Sequence, residues 1–178
     1  MSKTILAISG SPRPKGNTES LLKALIDEAL KAGKTVVNYR AADLKVGPCH
    51  GCCYCLKHNA VCVQKDDMPQ ILDNLRNCEA IVLASPVYYY GLSAQIKLVI
   101  DRFFALIEEG MAIKRAALLM TCGDDATAAN PSIANFRAMA NYLKWEEAGV
   151  VVAPNLHDPG EIEGRPELEE AKRLGAII

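Results

Sequence analysis

Short apolar runs alternate with longer segments of helical period, and this alternation constrains the fold more than any other feature of the chain. Residues 3–9 (KTILAIS), 35–39, 79–84 (EAIVLA), 116–121 and 149–153 (GVVVA) read as five strands. They are short and apolar, as strands are when both faces of a sheet are covered. Between them lie amphipathic stretches. From Asn17 onward Leu21, Leu22, Leu25, Ile26, Ala29 and Leu30 share one helical face, and Gly33 supplies a stop. Asp67 can cap a helix that takes Pro69 in its first turn and buries Ile71, Leu72 and Leu75. A helix near 93–107 carries Ile96, Val99, Ile100 and Phe103, and another starts at Asn130 and Pro131 with Ile133, Phe136, Ala140 and Leu143. A last short helix begins at Pro166, with Glu169 and Arg173 as an i,i+4 pair and Gly175 as its stop. The order β-α-β-α-β-α-β-α-β predicts an α/β domain with a parallel sheet and helices on both faces. Ligands of such sheets bind at the carboxyl ends of the strands, which directs attention to the loops at 9–18, 85–92 and 121–130.

The chain has 178 residues, a length that favours one domain over 1–178. Within it, 44–65 reads as a cysteine-rich loop and 154–178 as a tail with a short helix. Twenty Lys and Arg balance 21 Asp and Glu, so no global positive field draws nucleic acid or an anionic membrane. No apolar run is long enough to span a bilayer. The N-terminus passes directly into a strand and does not read as a signal peptide, so the expected compartment is the cytoplasm.

The loop Gly10-Ser11-Pro12-Arg13-Pro14-Lys15-Gly16-Asn17-Thr18 joins the first strand to the first helix. A helix start offers unpaired N–H groups and partial positive charge to a phosphate. Gly10 and Gly16 permit close backbone approach. Ser11, Asn17 and Thr18 can donate hydrogen bonds, and Arg13 can pair with a phosphate. Neither the Walker loop nor the G-x-G-x-x-G fingerprint is present. No Ser-His-Asp arrangement and no His/Glu zinc-hydrolase motif stands out. A flavodoxin-fold module without cofactor, of the receiver type, is disfavoured because its first strand would end in acidic residues, whereas here it ends in Ser9-Gly10-Ser11.

Two further motifs stand at matching places. One runs from Ala84-Ser85-Pro86-Val87-Tyr88-Tyr89-Tyr90-Gly91 to Asp101-Arg102-Phe103, and the other from Pro48-Cys49-His50-Gly51-Cys52 to Lys65-Asp66-Asp67-Met68. Together with the first loop they resemble the NADPH-dependent FMN reductase and multimeric flavodoxin group over about 1–153. The resemblance implies a flavodoxin-like doubly wound sheet of five parallel strands in the order 2-1-3-4-5. It also implies bound FMN, with Ser11, Arg13, Asn17 and Thr18 at the phosphate and Pro86, Val87, Tyr88, Tyr89, Tyr90 and Gly91 lining the flavin. Ser85 is expected near the ribityl chain, and Thr121 and Gly123 on the loop after the fourth strand. At least one of the three tyrosines is expected to serve the core or a subunit contact, and the resemblance implies a homodimer or homotetramer. NAD(P)H is the expected reductant, with a quinone, free flavin or another small acceptor.

Seven cysteines are present, five of them between Cys49 and Cys62. So tight a cluster argues for metal or redox chemistry over a disulfide framework. The spacing Cys49-x₂-Cys52-x₂-Cys55-x₆-Cys62 resembles that of the iron–sulfur flavoproteins, where these four would hold a [4Fe–4S] cluster fed by a ferredoxin-like donor. Zinc and a metal-free loop also suit the pattern.

Overall fold

The computed structural model describes residues 4–178; Lys3, expected in the first strand, lies outside them. Five strands form a parallel sheet: β1 (Thr4–Ser9), β2 (Thr35–Arg40), β3 (Ala80–Tyr88), β5 (Arg115–Thr121) and β6 (Glu146–Ala153). Their order is β2-β1-β3-β5-β6, the expected flavodoxin-like arrangement. The one addition is β4 (Gly91–Leu92), a two-residue strand that pairs antiparallel with the end of β3. β3 is accordingly longer than the apolar run 79–84 suggested.

Each strand points alternate side chains to opposite faces. In β1, Leu6 and Ile8 enter one core while Ile5 and Ala7 enter the other. The first core is covered by α2 (Met68–Asn77), α3 (Ala94–Asp101) and α4 (Asn130–Leu143), and the second by α1 (Asn17–Lys31) and α5 (Pro166–Ile177). Leu21, Leu22 and Leu25 of α1 are fully buried, each contributing about 1.5–3 kcal/mol. Leu30, expected on the same face, is exposed.

The helix ends differ from expectation in three places. Asp67 precedes α2, but its carboxylate does not cap the helix; it accepts the Lys45 amide instead, and Asp66 accepts the Met68 amide. Glu169 pairs with Lys172, one turn position short of Arg173. Gly175 does not end α5. It lies within the helix, where an added Cβ would come within 2.2 Å of the Leu25 carbonyl oxygen, so a side chain there would hold α5 away from α1. All seven cysteines are free thiols. No helix among the described residues is long and apolar enough to cross a membrane.

Candidate functional site

The loop after β1 is drawn tightly against its neighbours. Gly10 donates to the Ala84 carbonyl at 2.7 Å and accepts from the Ser93 hydroxyl at 2.7 Å. A Cβ at Gly10 would meet Ser93 Oγ at 2.5 Å and Ile96 Cβ at 2.7 Å, so only glycine fits. Further along, Ser11 Oγ accepts the Arg13 amide at 3.2 Å and the Gly16 amide reaches the Arg13 carbonyl at 3.2 Å. α1 then starts at Asn17 with Gly16 before it and no side-chain cap. The amides of Asn17 and Thr18 have no partner among the described residues. Open donors and the positive end of the helix dipole meet there, which suits an anion.

Two other strand ends face this loop. Thr18 and Thr121 join their hydroxyls at 2.7 Å across the gap between α1 and β5. Pro86, Val87 and Tyr88 bring apolar surface from the end of β3. The resulting cleft, about 210 Å³, is lined by Ser11, Arg13, Asn17 and Thr18 from the first loop, by Pro86, Val87 and Tyr88, and by Thr121 and Gly123 from the third. Nine of the thirteen residues expected at a flavin thus face one cavity. Ser85 does not; it is fully buried and its hydroxyl binds the Pro86 carbonyl and the Ser93 amide.

Tyr89, Tyr90 and Gly91 do not line the cleft either. Tyr90 and Gly91 border a separate hollow with Leu92, Lys97, Pro131 and Ser132. Tyr89 and Tyr90 form the two-residue turn between β3 and β4 with φ of 47° and 63°. Both are left-handed, as a type I′ turn requires, but tyrosine is poorly suited to that region. Tyr89 is fully exposed at the tip.

The tail contributes residues that sequence reasoning missed. These are Leu156 and His157, which line the cleft together with Gly16 of the first loop and Cys122 of the third. The His157 ring packs where a Cβ on Gly123 would lie, with Nδ1 at 3.1 Å. Arg13 donates through Nη1 to the His157 carbonyl at 3.2 Å. The Asn17 side chain is committed to the same segment: Nδ2 donates to the Asp158 carbonyl at 2.9 Å, while Oδ1 accepts the amides of Gly160 and Ile162. Only the backbone of Asn17 is therefore open toward the cleft. The Glu161 carboxylate accepts the amides of His157 and Asp158, which hold it below the usual carboxylate range. Nothing local in the sequence announces these contacts. Cys122 is buried, and its burial pushes the thiol up.

The cysteine loop is closed at its base. Arg102, only 2% exposed, donates to both oxygens of Asp66 at 2.8 and 3.2 Å and to the Gly47 carbonyl at 3.1 Å. Asp66 also accepts the amides of Gly47 and Met68. Burial pushes the Asp66 carboxyl up, but the guanidinium and the two amides outweigh it and leave the carboxyl below its ordinary value. Beyond this clamp the chain passes through left-handed Gly51, Cys53, Asn59 and Ala60. Cys49, Cys52 and Cys53 are exposed, while Cys55 and Cys62 are half-buried. Among the described residues no three Cys, His, Asp or Glu side chains stand close enough to hold a metal ion. Cys49, Cys52, Cys55 and Cys62 therefore form no single-ion site in this arrangement, although Cys49 and Cys62 lie near enough to act on the Cys55 thiol. A hollow of about 590 Å³ lies between Cys55, Ala60 and the Arg76–Glu109 ion pair. It is larger than the cleft, but its residues come from the cysteine loop, α2 and the segment after α3, and no strand end opens into it.

Residues 4–155 match the family described as NADPH-dependent FMN reductase. An iron-sulfur flavoprotein of Archaeoglobus fulgidus is 43% identical over 103 residues, which are 58% of this chain and 52% of that protein. Another, from Methanocaldococcus jannaschii, is 39% identical over 98 residues, 55% of this chain and 50% of its own length. The chain spans about half the length of the curated relatives it matches. In fold it is similar to an FMN-dependent NADH-azoreductase from Bacillus anthracis solved in complex with FMN, with a TM-score of 0.73, 15% identity and 98% of each chain covered.

Proposed function

This chain belongs to the NADPH-dependent FMN reductase family, and from that premise we propose that it is an NAD(P)H-dependent flavin oxidoreductase with FMN in the cleft above β1, β3 and β5. The observation that supports this most is the convergence of three separate strand-end loops on one cavity beside an uncapped helix start. The donor set fits FMN. The open amides of Asn17 and Thr18, with Ser11 and Arg13, suit the phosphate. The paired hydroxyls of Thr18 and Thr121 suit the ribityl chain. Pro86, Val87 and Tyr88 offer an apolar platform to a flat ring, and Gly123, with the His157 ring packed against it, borders the same cavity. When bound, FMN supplies the redox chemistry, taking a hydride from NAD(P)H and passing electrons to a small acceptor such as a quinone. The protein positions the flavin and shields it on the buried side.

Reconstitution tests the reading. The purified chain should take up one FMN with quenching of its fluorescence, and NADH or NADPH added without oxygen should bleach the flavin. Arg13→Ala should weaken FMN binding about tenfold, because a charge-assisted hydrogen bond is lost. A colourless protein that takes up no FMN would sink the proposal.

A second reading, supported by the names of the relatives and by the cysteine spacing, is an electron carrier with a [4Fe–4S] cluster on Cys49, Cys52, Cys55 and Cys62, fed by a ferredoxin-like protein. Among the described residues these thiols form no single-ion site, and no electron step is routed through a cluster. Iron and sulfide analysis after anaerobic purification decides between the two readings. In either case we propose one FMN-binding domain, a homodimer or homotetramer, and a cytoplasmic location.

A further inference from the structure

Ser9, at the end of β1, is fully buried and does not line the cleft. Its hydroxyl donates to the carboxylate of Glu19 in the first turn of α1. The same oxygen accepts the Ser11 amide at 3.2 Å. From Ser11 the contacts continue without a gap. Ser11 Oγ accepts the Arg13 amide and donates to the Arg13 carbonyl at 3.3 Å. That carbonyl accepts the amide of Gly16, the residue from which α1 begins. The turns between β1 and α1 are thus tied, one to the next, to Glu19.

The position of Glu19 is unusual for what it does. It is the third helical residue after Gly16, where a carboxylate ordinarily reaches back to the amide before the helix. Here that amide is already taken by Arg13, and Glu19 turns inward to Ser9. Arg40, at the end of β2, and Asp43, just after it, are the charged groups that act on it, with opposite effects, and its burial raises its pKa. A negative charge in this turn also opposes an anion at the same helix end. Glu19 is therefore not an anion ligand, and its visible effect is to fix the Ser9 hydroxyl.

We infer that Glu19 is a positioning residue for the flavin phosphate, acting through Ser9 and Ser11 to keep the loop in the form that leaves the Asn17 and Thr18 amides open. This rests on the proposed FMN site and adds to it a residue that does not touch the flavin. A carboxylate that merely supported the fold would affect all flavins alike. A residue that shapes the phosphate loop affects FMN and spares riboflavin.

The test is a fluorescence titration of the full chain, stripped of flavin, with FMN and with riboflavin, alongside urea unfolding. Glu19→Ala should weaken FMN binding about tenfold and leave riboflavin binding within about twofold. Glu19→Gln, whose amide oxygen can still accept from Ser9, should recover most of the FMN affinity. Ser9→Ala should match Glu19→Ala, and the double variant should be no worse than either alone. Ser9→Ala removes a single hydroxyl and carries the test if Glu19→Ala does not fold. Unchanged FMN affinity in Glu19→Ala or Ser9→Ala, equal losses for FMN and riboflavin, or failure of Glu19→Gln to recover would overturn the inference. A wild-type chain that binds no FMN overturns the functional reading instead, which separates the two failures.

Discussion

Replacing Asp66 with asparagine removes the charge that faces the Arg102 guanidinium. The pair is nearly sealed from water, with side chains 2% and 12% exposed, and is held by two N–H···O bonds. Asparagine keeps one acceptor oxygen but cannot match the fork, and the guanidinium loses its carboxylate partner while keeping the Gly47 carbonyl. Stranding a buried charge in this way costs about 3–5 kcal/mol, against a total stability of about 5–15 kcal/mol. For a chain of this size that lowers the melting temperature by about 6–20 °C. Urea unfolding followed by circular dichroism gives the loss directly, with the m-value unchanged. Arg102→Met should cost a similar amount. Because each single change strands the other partner, the double variant should lose clearly less than the sum. The effect also depends on pH. With the folded carboxyl below the ordinary value of 3.8, the pair stabilises fully above that value, and the contribution is lost as pH falls through the lower folded value. Asp66→Asn should show no such loss. Single variants each costing under about 1 kcal/mol, or strict additivity, would refute the reasoning that this ion pair locks the base of the cysteine loop.

Three further outcomes follow from the same geometry. Gly10→Ala places a methyl group 2.5 Å from Ser93 Oγ and should cost about 1–3 kcal/mol by overpacking, together with a loss of FMN retention; an unchanged thermal melt would contradict this. The double change Tyr89→Asn with Tyr90→Gly puts residues suited to positive φ at the tip of the β3–β4 turn and should raise the urea midpoint, by about 1–2 kcal/mol in stability for each tyrosine relieved. Asn17→Ala removes the three bonds that hold residues 158–162, so limited proteolysis should cut near 155–164 sooner than in the wild type while α1 stays helical.

Much of the architecture was legible because its causes are local. The apolar runs have the short length of buried strands, α1 shows its helical period, and Gly33, in the left-handed region with φ of 77°, closes it as expected. The Gly10–Thr18 loop could be read as an anion site because glycines, hydroxyls and an arginine at a strand-to-helix turn announce their chemistry by type and order. Other features had no local cause. The partners of the Asn17 side chain lie 141 to 145 residues away, and the arrival of His157 beside Gly123 depends on where the tail is laid. Tyr89-Tyr90 carries none of the residues that mark a type I′ turn, so the hairpin after β3 was invisible. Gly175 looked like a helix stop, but its small size serves the close approach of α5 to α1.

The sequence by itself determined the order of strands and helices, the two-sided burial of the sheet and the chemical kind of each strand-end loop, since these follow from periodicity and from residue types a few positions apart. Only the tertiary structure decided which of those residues meet. It turned Asn17 toward the tail, set Glu19 behind Ser9, left Tyr89 and Tyr90 outside the cleft lining and left Cys49 and Cys52 exposed with Cys55 and Cys62 half-buried. The physical reason is that hydrogen bonds and packing act over a few ångströms in space, and the chain folding around its two cores determines which distant residues come within that reach.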